Sequence, residues 1–392
     1  METIIKRFVN YLNNNNNISV LFVKILFNYK YGKESSIKKI VDIKDYKSHI
    51  IKTFIEESEY TNYLCAIKLE EEVVVITISP AISLYCFENV LIRIDSSSII
   101  FKNKILVTRT ESERFNEGFL KWHDDKNGKL HFSSIEEIDE GFFLGGNGSW
   151  NWFHFTIEIL PKLVLLNSEY TIKILVSDIV KEIPSMLKIL NYLNKEKFEI
   201  IFLKRGQTYK VNKIFHINDF NHVQFNRFDN QIKADGTYFN WELTRQYSDL
   251  LLNEVQEINN LPTHIFLYRK NTHRIARNQD EILEYLNDYG FKAICMEDLS
   301  FEEQVNYFGK AKFIVGISGA AWSNLIFCRN KPKAICFIPE FAKESSIFSN
   351  LAKIFEVRLL NQLYKSNQHH YSSDFEINFI EFKQLFKSLL NE

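Results

Sequence analysis

The segment from Val315 to Phe327 constrains the fold more than any other part of the sequence. A short apolar run predicts a buried strand over residues 312–317, and an apolar stretch from Ala320 predicts a helix. Ser318 and Gly319 lie between them, where serine can cap the helix and glycine lets the backbone approach a ligand. Such a turn directs free N–H groups and the positive end of a helix dipole at one point, which suits a phosphate. An ordinary strand-turn-helix connection with nothing bound would show the same pattern.

The C-terminal part of the chain repeats this alternation of strand and helix. We predict strands over 264–268, 291–296, 312–317, 333–338 and 357–360, and helices over 279–288, 301–309, 320–327, 345–355 and 375–390. The alternation predicts a doubly wound α/β domain, in which ligands bind beyond the carboxyl ends of the strands. Asn259, Asn260 and Pro262 interrupt the chain before this domain, so we divide the chain into residues 1–258 and 259–392, with the option that the last helix packs back on the first domain.

The first domain is less regular and contains additional β-structure near the N-terminus. We predict strands over 72–78, 89–94, 99–107, 142–144, 172–176, 198–203 and 211–217, and helices over 152–166, 183–193 and 242–258. A glycine-rich stretch over 145–148 precedes the first of these helices, which Ser149 or Asn151 should cap. Pro161 should kink or end the first part of that helix, because proline lacks an N–H group.

Composition narrows the class of protein. The chain has 392 residues, 45% hydrophobic and 25% charged, which is a globular composition with room for two domains. The net charge of -1, without a long basic block, argues against a nucleic-acid partner. Five scattered cysteines without a C-x-x-C pair indicate buried thiols in a reducing cytoplasm.

We find no secretory signal, and the apolar run over 18–27 is shorter than the ~20 residues that span a bilayer. Peripheral membrane attachment stays open, as does the oligomeric state.

Several polar residues follow the strands of the C-terminal domain. Arg269 and Arg274 lie on the loop after strand 264–268, where guanidinium groups could bind a diphosphate in bidentate fashion, although a solvated basic loop is the alternative. Together with the Ser318–Gly319 turn they favour a phosphate-bearing ligand such as a nucleotide. Glu297 could accept hydrogen bonds from a ribose. Asn278 could cap the next helix, and Asn324 could bind the ligand or a neighbouring backbone.

His154 and Glu158 are the acid/base candidates of the first domain. They are four residues apart on a predicted helix, so they share one face, and a carboxylate there can hold the tautomer of an imidazole that accepts a proton. The alternative is a core histidine among aromatic residues. The sequence contains no H-E-x-x-H motif, no clustered aspartates beside a strand and no Cys/His ligand spacing, so we expect neither a metal nor another cofactor.

Two blocks of the sequence resemble glycosyltransferase family 61. NWFHFTIEILPKLVLL, starting at Asn151, is similar to the family's Asn-Tyr-x-His-Trp-x-x-Glu-x-Leu-Pro-x-Leu helix. The residues from Phe266 to Phe327 follow the order of the family's second block, with an arginine-containing loop, a Leu-Ser-x-x-Glu-Gln helix and a strand that ends before an asparagine-containing helix. The family's histidine of His-Gly-Ala is Ser318 in this chain.

The resemblance implies a GT-B arrangement of two facing Rossmann-like domains with parallel sheets. It also implies a nucleotide-sugar donor in the C-terminal domain and inverting transfer without an obligatory metal. We therefore expect a cytoplasmic glycosyltransferase that extends a surface glycan, capsule or lipopolysaccharide, with His154 and Glu158 activating the acceptor. The nucleotide sugar would lie against a set of C-terminal residues: Arg269, Arg274, Asn278, Glu297, Ser318, Gly319, Ala320 and Asn324. Arg269, Arg274 and the helix start at Ser318, Gly319 and Ala320 would hold its diphosphate. A non-catalytic nucleotide- or glycan-binding partner in the same pathway is the alternative, consistent with Ser318.

Overall fold

The structure is a computed structural model, and it describes most of the chain. The described residues are 37–69, 71–107, 120–123, 126–130, 134–166, 172–223, 233–270, 274–365 and 375–392. The expected Asn-rich loop near the N-terminus and the apolar run over 18–27 lie outside them.

Strands predominate in the first half of the described residues, and strands and helices alternate from His264–Leu267 onward. The strands are Ile37–Asp42, Ile50–Ile55, Ser58–Tyr63, Val74–Ser79, Ile82–Ile92, Ser98–Phe101, Lys104–Val107, Leu120–His123, Asn127–Leu130, Ile135–Leu144, Ile174–Ser177, Ile200–Leu203, Thr208–Ile217, Asn221–His222, Tyr238–Phe239, His264–Leu267, Lys292–Ile294, Phe313–Ile317, Lys333–Pro339 and Arg358–Tyr364. The α-helices are Trp152–His154, Ile179–Glu182, Pro184–Asn194, Trp241–Leu252, Gln279–Asn287, Phe301–Lys310, Ile347–Ile354 and Phe379–Asn391. The 3-10 helices are Ile43–Asp45, Lys47–His49, Leu160–Leu165, Met296–Asp298, Ala320–Phe327 and Glu340–Ala342, and Phe155–Ile159 is a π-helix.

The C-terminal sheet has five strands, all parallel, as predicted. Their spatial order is Lys292–Ile294, His264–Leu267, Phe313–Ile317, Lys333–Pro339 and Arg358–Tyr364. In chain order this is 2-1-3-4-5, so the direction of winding reverses between His264–Leu267 and Phe313–Ile317. The carboxyl ends of those two strands therefore flank the crevice in which doubly wound sheets bind ligands.

The N-terminal sheet is mixed, which corrects the expectation of parallel sheets in both domains. Ile200–Leu203, Ile174–Ser177, Ile135–Leu144 and Thr208–Ile217 are parallel neighbours, but Thr208–Ile217 pairs antiparallel with Ile82–Ile92 on its other side. Further strands, mostly antiparallel, continue the sheet beyond Ile82–Ile92.

The strand predicted over 99–107 is a hairpin. Ser98–Phe101 and Lys104–Val107 pair antiparallel across Lys102 and Asn103, both of which have positive φ values, 45° and 67°. Two-residue turns of this kind match the twist of the flanking strands, and asparagine tolerates the left-handed conformation.

The helical segment after the glycine-rich stretch changes type twice. Asn151 caps it, because its Oδ1 accepts hydrogen bonds from the backbone N–H groups of Phe153 and His154. A π-helix over Phe155–Ile159 follows, and the chain tightens to a 3-10 helix from Leu160. The predicted break at Pro161 is thus confirmed, since proline cannot donate to the turn that precedes it.

The two halves share one apolar core. Phe155 and Leu160 of the first half belong to the same buried cluster as Phe301, Trp322 and Phe327 of the second half. The division at residue 258 stays a prediction. Phe382, Phe386 and Leu389 of the last helix are buried with residues of the C-terminal sheet. The option that this helix also packs back on the first domain stays a prediction. Among the described residues no helix is both long enough and apolar enough to cross a bilayer.

Candidate active site

The Ser318–Gly319 turn lies at the carboxyl end of strand Phe313–Ile317, beside the winding reversal. The backbone N–H of Ser318 donates to the carbonyl of Phe337, 2.9 Å away. The residue before the 3-10 helix is Gly319, and no side chain caps that helix, so the predicted capping role of Ser318 is wrong. The Ser318 hydroxyl is buried and has no hydrogen-bond partner among the described residues. A buried polar atom of this kind marks a place where a ligand group or water is expected.

Two arginines converge on the same turn, as predicted from the sequence. Arg269 Nη2 donates to the carbonyl oxygens of Ser318, at 2.6 Å, and Ile317, at 3.4 Å. Arg274 Nη1 lies 3.4 Å from the same Ser318 oxygen. Gln279 fixes the backbone of Arg269 from both sides, since its side-chain amide accepts from the Arg269 N–H at 3.0 Å and donates to the Arg269 carbonyl at 3.1 Å.

Arg269 is a cation in an unfavourable electrostatic environment. Burial, and secondarily the positive charge of Arg274, lower the pKa of Arg269 to about 10, whereas the negative charge of Glu297 acts in the opposite direction. Arg269 forms no ion pair with a carboxylate of the described residues. The guanidinium remains charged at neutral pH, and an anion bound beside it would relieve both the desolvation and the repulsion.

His154 and Glu158 form a hydrogen-bonded pair, as their spacing predicts. His154 Nδ1 contacts Glu158 Oε2, and the side chains are 12% and 0% exposed. The second carboxylate oxygen of Glu158 accepts a 2.9 Å hydrogen bond from the backbone N–H of Val223. In neutral His154, a proton on Nδ1 directed at the carboxylate leaves the lone pair on Nε2, which is the arrangement of a general base.

The sequence did not predict a set of buried polar residues beside Glu158. Asp219 and His222 follow the carboxyl end of strand Thr208–Ile217, the parallel neighbour of the strand that precedes His154. His222 Nδ1 lies 3.7 Å from Asp219 Oδ2 and 3.8 Å from Glu158 Oε1, and Lys162 Nζ forms an ion pair with Asp219. The only hint in the sequence is that four of the five residues from Asn218 to His222, at a strand end, are polar.

This cluster bears on the expectation that no metal is bound. Glu158, Asp219 and His222 each offer a ligand atom, and those atoms lie within 4.8 Å of one another. Carboxylate and imidazole groups are suitable ligands for a divalent metal, but the ammonium of Lys162 already neutralises part of the negative charge. The absence of a metal is therefore not confirmed, because the structure supplies a donor set that the sequence spacing does not reveal.

Direct contacts link the His154 segment to the helix after Gly319. Trp152 Nε1 donates to Asn324 Oδ1 at 3.0 Å, and Asn324 Nδ2 donates to Gln304 Oε1 at 3.2 Å. Phe153 packs edge-on against Phe348, with ring centroids 6.1 Å apart. The base candidate and the arginine-lined turn thus belong to elements that pack on each other.

The remaining candidates have partners within the protein. Asn278 exchanges two hydrogen bonds with the backbone of Ile377, at 2.8 and 3.0 Å. Glu297 is exposed and accepts a hydrogen bond from Cys295 Sγ at 3.2 Å. Ala320 begins the 3-10 helix. Whether Asn278, Glu297, Ala320 and Asn324 also contact a donor stays a prediction.

The sequence was compared with models of known protein families and with curated proteins. Residues 152–336 match the family model described as Glycosyltransferase 61, a range that contains His154, Glu158, Arg269 and Ser318. No curated protein matches the sequence.

Similar solved structures include two of the bacterial iron-containing dodecameric protein TibC. One, the glycosyltransferase from enterotoxigenic E. coli H10407, has 10% sequence identity and a TM-score of 0.26, with 73% of this chain and 80% of that chain covered. The other, a heptosyltransferase in complex with ADP-D-beta-D-heptose, has 9% identity and a TM-score of 0.28, with 79% and 94% covered.

Proposed function

We propose, from the premise that this chain is a member of glycosyltransferase family 61, that it transfers a sugar from a nucleotide-sugar donor to a growing surface glycan. The observation that carries the proposal is the convergence of Arg269, Arg274 and the buried Ser318 hydroxyl at the winding reversal of a parallel sheet. Cationic and polar groups at such a crevice suit the diphosphate of a nucleotide.

The donor half of the reaction needs stabilisation of a leaving diphosphate. The charge that develops on the phosphate oxygen would be met by the guanidinium groups of Arg269 and Arg274 and by the first N–H groups of the Ala320–Phe327 helix. To receive the phosphate, Arg269 exchanges its contact with the neutral Ser318 carbonyl for a hydrogen bond to an anionic phosphate oxygen, in which both partners are charged. Such a bond is the stronger of the two.

The acceptor half needs a base. The acceptor hydroxyl gives its proton to His154 Nε2 as its oxygen forms a bond to the anomeric carbon, and the bond to the diphosphate breaks with its electron pair leaving on phosphate. Glu158 holds the His154 tautomer and stabilises the imidazolium that results. A single displacement of this kind inverts the anomeric configuration.

We further propose that the transfer needs no metal, because the two arginines and the helix start supply positive charge at the diphosphate. The five cysteines are free in the structure, in keeping with a reducing cytoplasmic location. The acceptor we propose is a capsule or lipopolysaccharide chain, met at the inner face of the membrane.

A non-catalytic role is the second candidate, and Ser318 is the observation that favours it. Ser318 stands where the family resemblance places a histidine, and a hydroxyl cannot replace imidazole acid/base chemistry. In that case the protein would bind the nucleotide or the glycan without turnover.

Ligand binding followed by turnover tests the proposal. We expect a nucleoside diphosphate or a nucleotide sugar to raise the melting temperature, because a ligand that binds only the folded state stabilises it. The ligand that gives the largest shift is then supplied as a nucleotide sugar, and release of nucleoside diphosphate is measured. Binding with release supports a transferase, and binding without release supports the non-catalytic role. No shift with any nucleotide contradicts the transferase and a nucleotide-binding role, and leaves only a glycan-binding one.

A further inference from the structure

Trp150 presents an exposed indole on the turn that leads to His154. Its relative exposure is 57%, whereas Trp322 is fully buried in the core. Among the described residues no side chain stacks on the Trp150 ring or forms a hydrogen bond with it. An exposed indole offers a large, flat apolar face on which a ligand can pack.

The backbone that carries Trp150 is held firmly. On one side, the Asn147 N–H donates to Ser97 Oγ at 2.9 Å, and the Ser149 N–H donates to the Gly146 carbonyl at 3.2 Å. On the other, the Asn151 N–H donates to the Gly148 carbonyl at 2.8 Å. Trp150 therefore lies on an ordered turn, so its backbone needs no further ordering when a ligand binds.

The same turn is packed against the base candidate. Gly148 has a φ of +93°, and a Cβ built on it would lie 2.9 Å from Cβ of His154. The absence of a side chain at Gly148 thus allows the turn to lie against His154. Trp150 is two residues beyond this contact and four residues before His154, so its backbone lies on the turn that packs against the proposed base.

We infer that Trp150 is a stacking platform for the acceptor, and that the acceptor unit is a pyranose with an unsubstituted C–H face. This inference rests on the proposed function. One face of many pyranose rings carries axial C–H groups, which pack on the flat electron-rich face of an indole through dispersion and weak C–H···π contacts. Stacking of the ring fixes its hydroxyl groups relative to His154, which deprotonates one of them.

The test compares Trp150→Ala and Trp150→Phe with a matched control, Trp241→Ala. Trp241 is another partly exposed indole, but its Nε1 lies 3.3 Å from Tyr60 Oη, in a part of the fold that the proposed mechanism does not use. The probes are cellotetraose, maltotetraose and chitotetraose. Their binding is followed by tryptophan fluorescence and by saturation-transfer NMR, and their use as acceptors by transfer from the donor identified through melting shifts.

For at least one sugar, we expect binding to wild type and to the Trp241→Ala variant. Trp150→Ala should raise KM for that sugar by about 10-fold, with kcat and donor affinity nearly unchanged, because a stacked aromatic contact contributes on this scale. Trp150→Phe should restore most of the affinity, since it keeps a flat aromatic face.

Two results would overturn the inference. One is that none of the three sugars binds the wild-type protein; the other is that Trp150→Ala binds and uses the sugar as wild type does. Failure of the proposed function is seen separately, as absence of nucleotide binding and of donor hydrolysis without any sugar present. Neither of those measurements depends on Trp150.

Discussion

Gly319 gives the guanidinium of Arg269 the space that it occupies. A Cβ built on Gly319 would lie 1.9 Å from Arg269 Nη2, although the extended φ of Gly319, 165°, is open to any residue. Glycine is thus required here for space and not for backbone conformation. Gly319 and Arg269 follow the two strands that flank the crevice, so this contact lets the two strand ends pack closely.

Gly319→Ala should therefore weaken nucleotide binding in the same way as removal of the Arg269 side chain. The added methyl group displaces the Arg269 guanidinium from the Ser318 carbonyl, and nucleotide affinity should fall about as far as it does in Arg269→Ala. Gly309→Ala is the control, because a Cβ there meets only the Phe327 carbonyl at an ordinary 3.6 Å. Gly309 lies in a helix, so this control should raise stability slightly, by up to ~1 kcal/mol. Calorimetric nucleotide titration of both variants checks this, and wild-type affinity in Gly319→Ala would contradict it.

Removal of either arginine should weaken nucleotide binding. We expect Arg269→Ala and Arg274→Ala each to lose ~1.5–3 kcal/mol of binding free energy, the range for hydrogen bonds to charged groups. Arg205→Ala is a suitable control, because Arg205 is an exposed arginine that pairs with Asp178 and Glu182. Intact folding with unchanged affinity in both test variants would exclude these arginines from the site.

His154→Ala should separate chemistry from donor binding. Loss of the general base should reduce turnover by ~100-fold or more, while the nucleotide still binds, because its proposed contacts lie on the C-terminal sheet. Glu158→Gln should give a smaller loss, since an amide can still accept the Val223 hydrogen bond but supports an imidazolium less well. If His154 is instead a core residue, His154→Ala will lower the melting temperature and reduce affinity and turnover in proportion.

Asn324→Ala should destabilise the packing between the two halves. Its side chain accepts from Trp152 and donates to Gln304 in a fully buried position, so truncation leaves two polar groups without their partner, at a cost of ~1–3 kcal/mol. Asn330→Ala, which removes one exposed hydrogen bond to the Gly309 carbonyl, is the control and should be nearly neutral. Urea unfolding measures both. A stable Asn324→Ala protein that has lost only nucleotide affinity would show that Asn324 acts as a donor ligand.

Chelation should leave transfer intact. With the diphosphate neutralised by arginines, turnover should persist in excess EDTA, and metal analysis of the dialysed protein should find no stoichiometric ion. The opposite result, loss of activity with rescue by a divalent metal, would direct attention to Glu158, Asp219 and His222. Asp219→Asn and His222→Ala should then lose the bound metal, which atomic emission can measure independently of activity.

Many local features of this structure can be predicted from the sequence alone. The C-terminal strands and helices, the cap at Asn151, the break at Pro161 and the pairing of His154 with Glu158 all depend on residues a few positions apart. Side-chain periodicity, capping geometry and the missing proline N–H act over that range, so the sequence alone determined them.

Contacts between distant segments were decided by the tertiary structure. Asp219 and His222 lie beside Glu158 only because Thr208–Ile217 and Ile135–Leu144 are neighbours in one sheet, and no local pattern specifies which strands become neighbours. The same holds for Ile82–Ile92, which turns the expected parallel sheet into a mixed one. The burial of Arg269 and the space left by Gly319 likewise depend on two strand ends separated by about fifty residues in the chain. Burial, desolvation and close packing arise only when such segments meet, because they are properties of surroundings and not of sequence spacing.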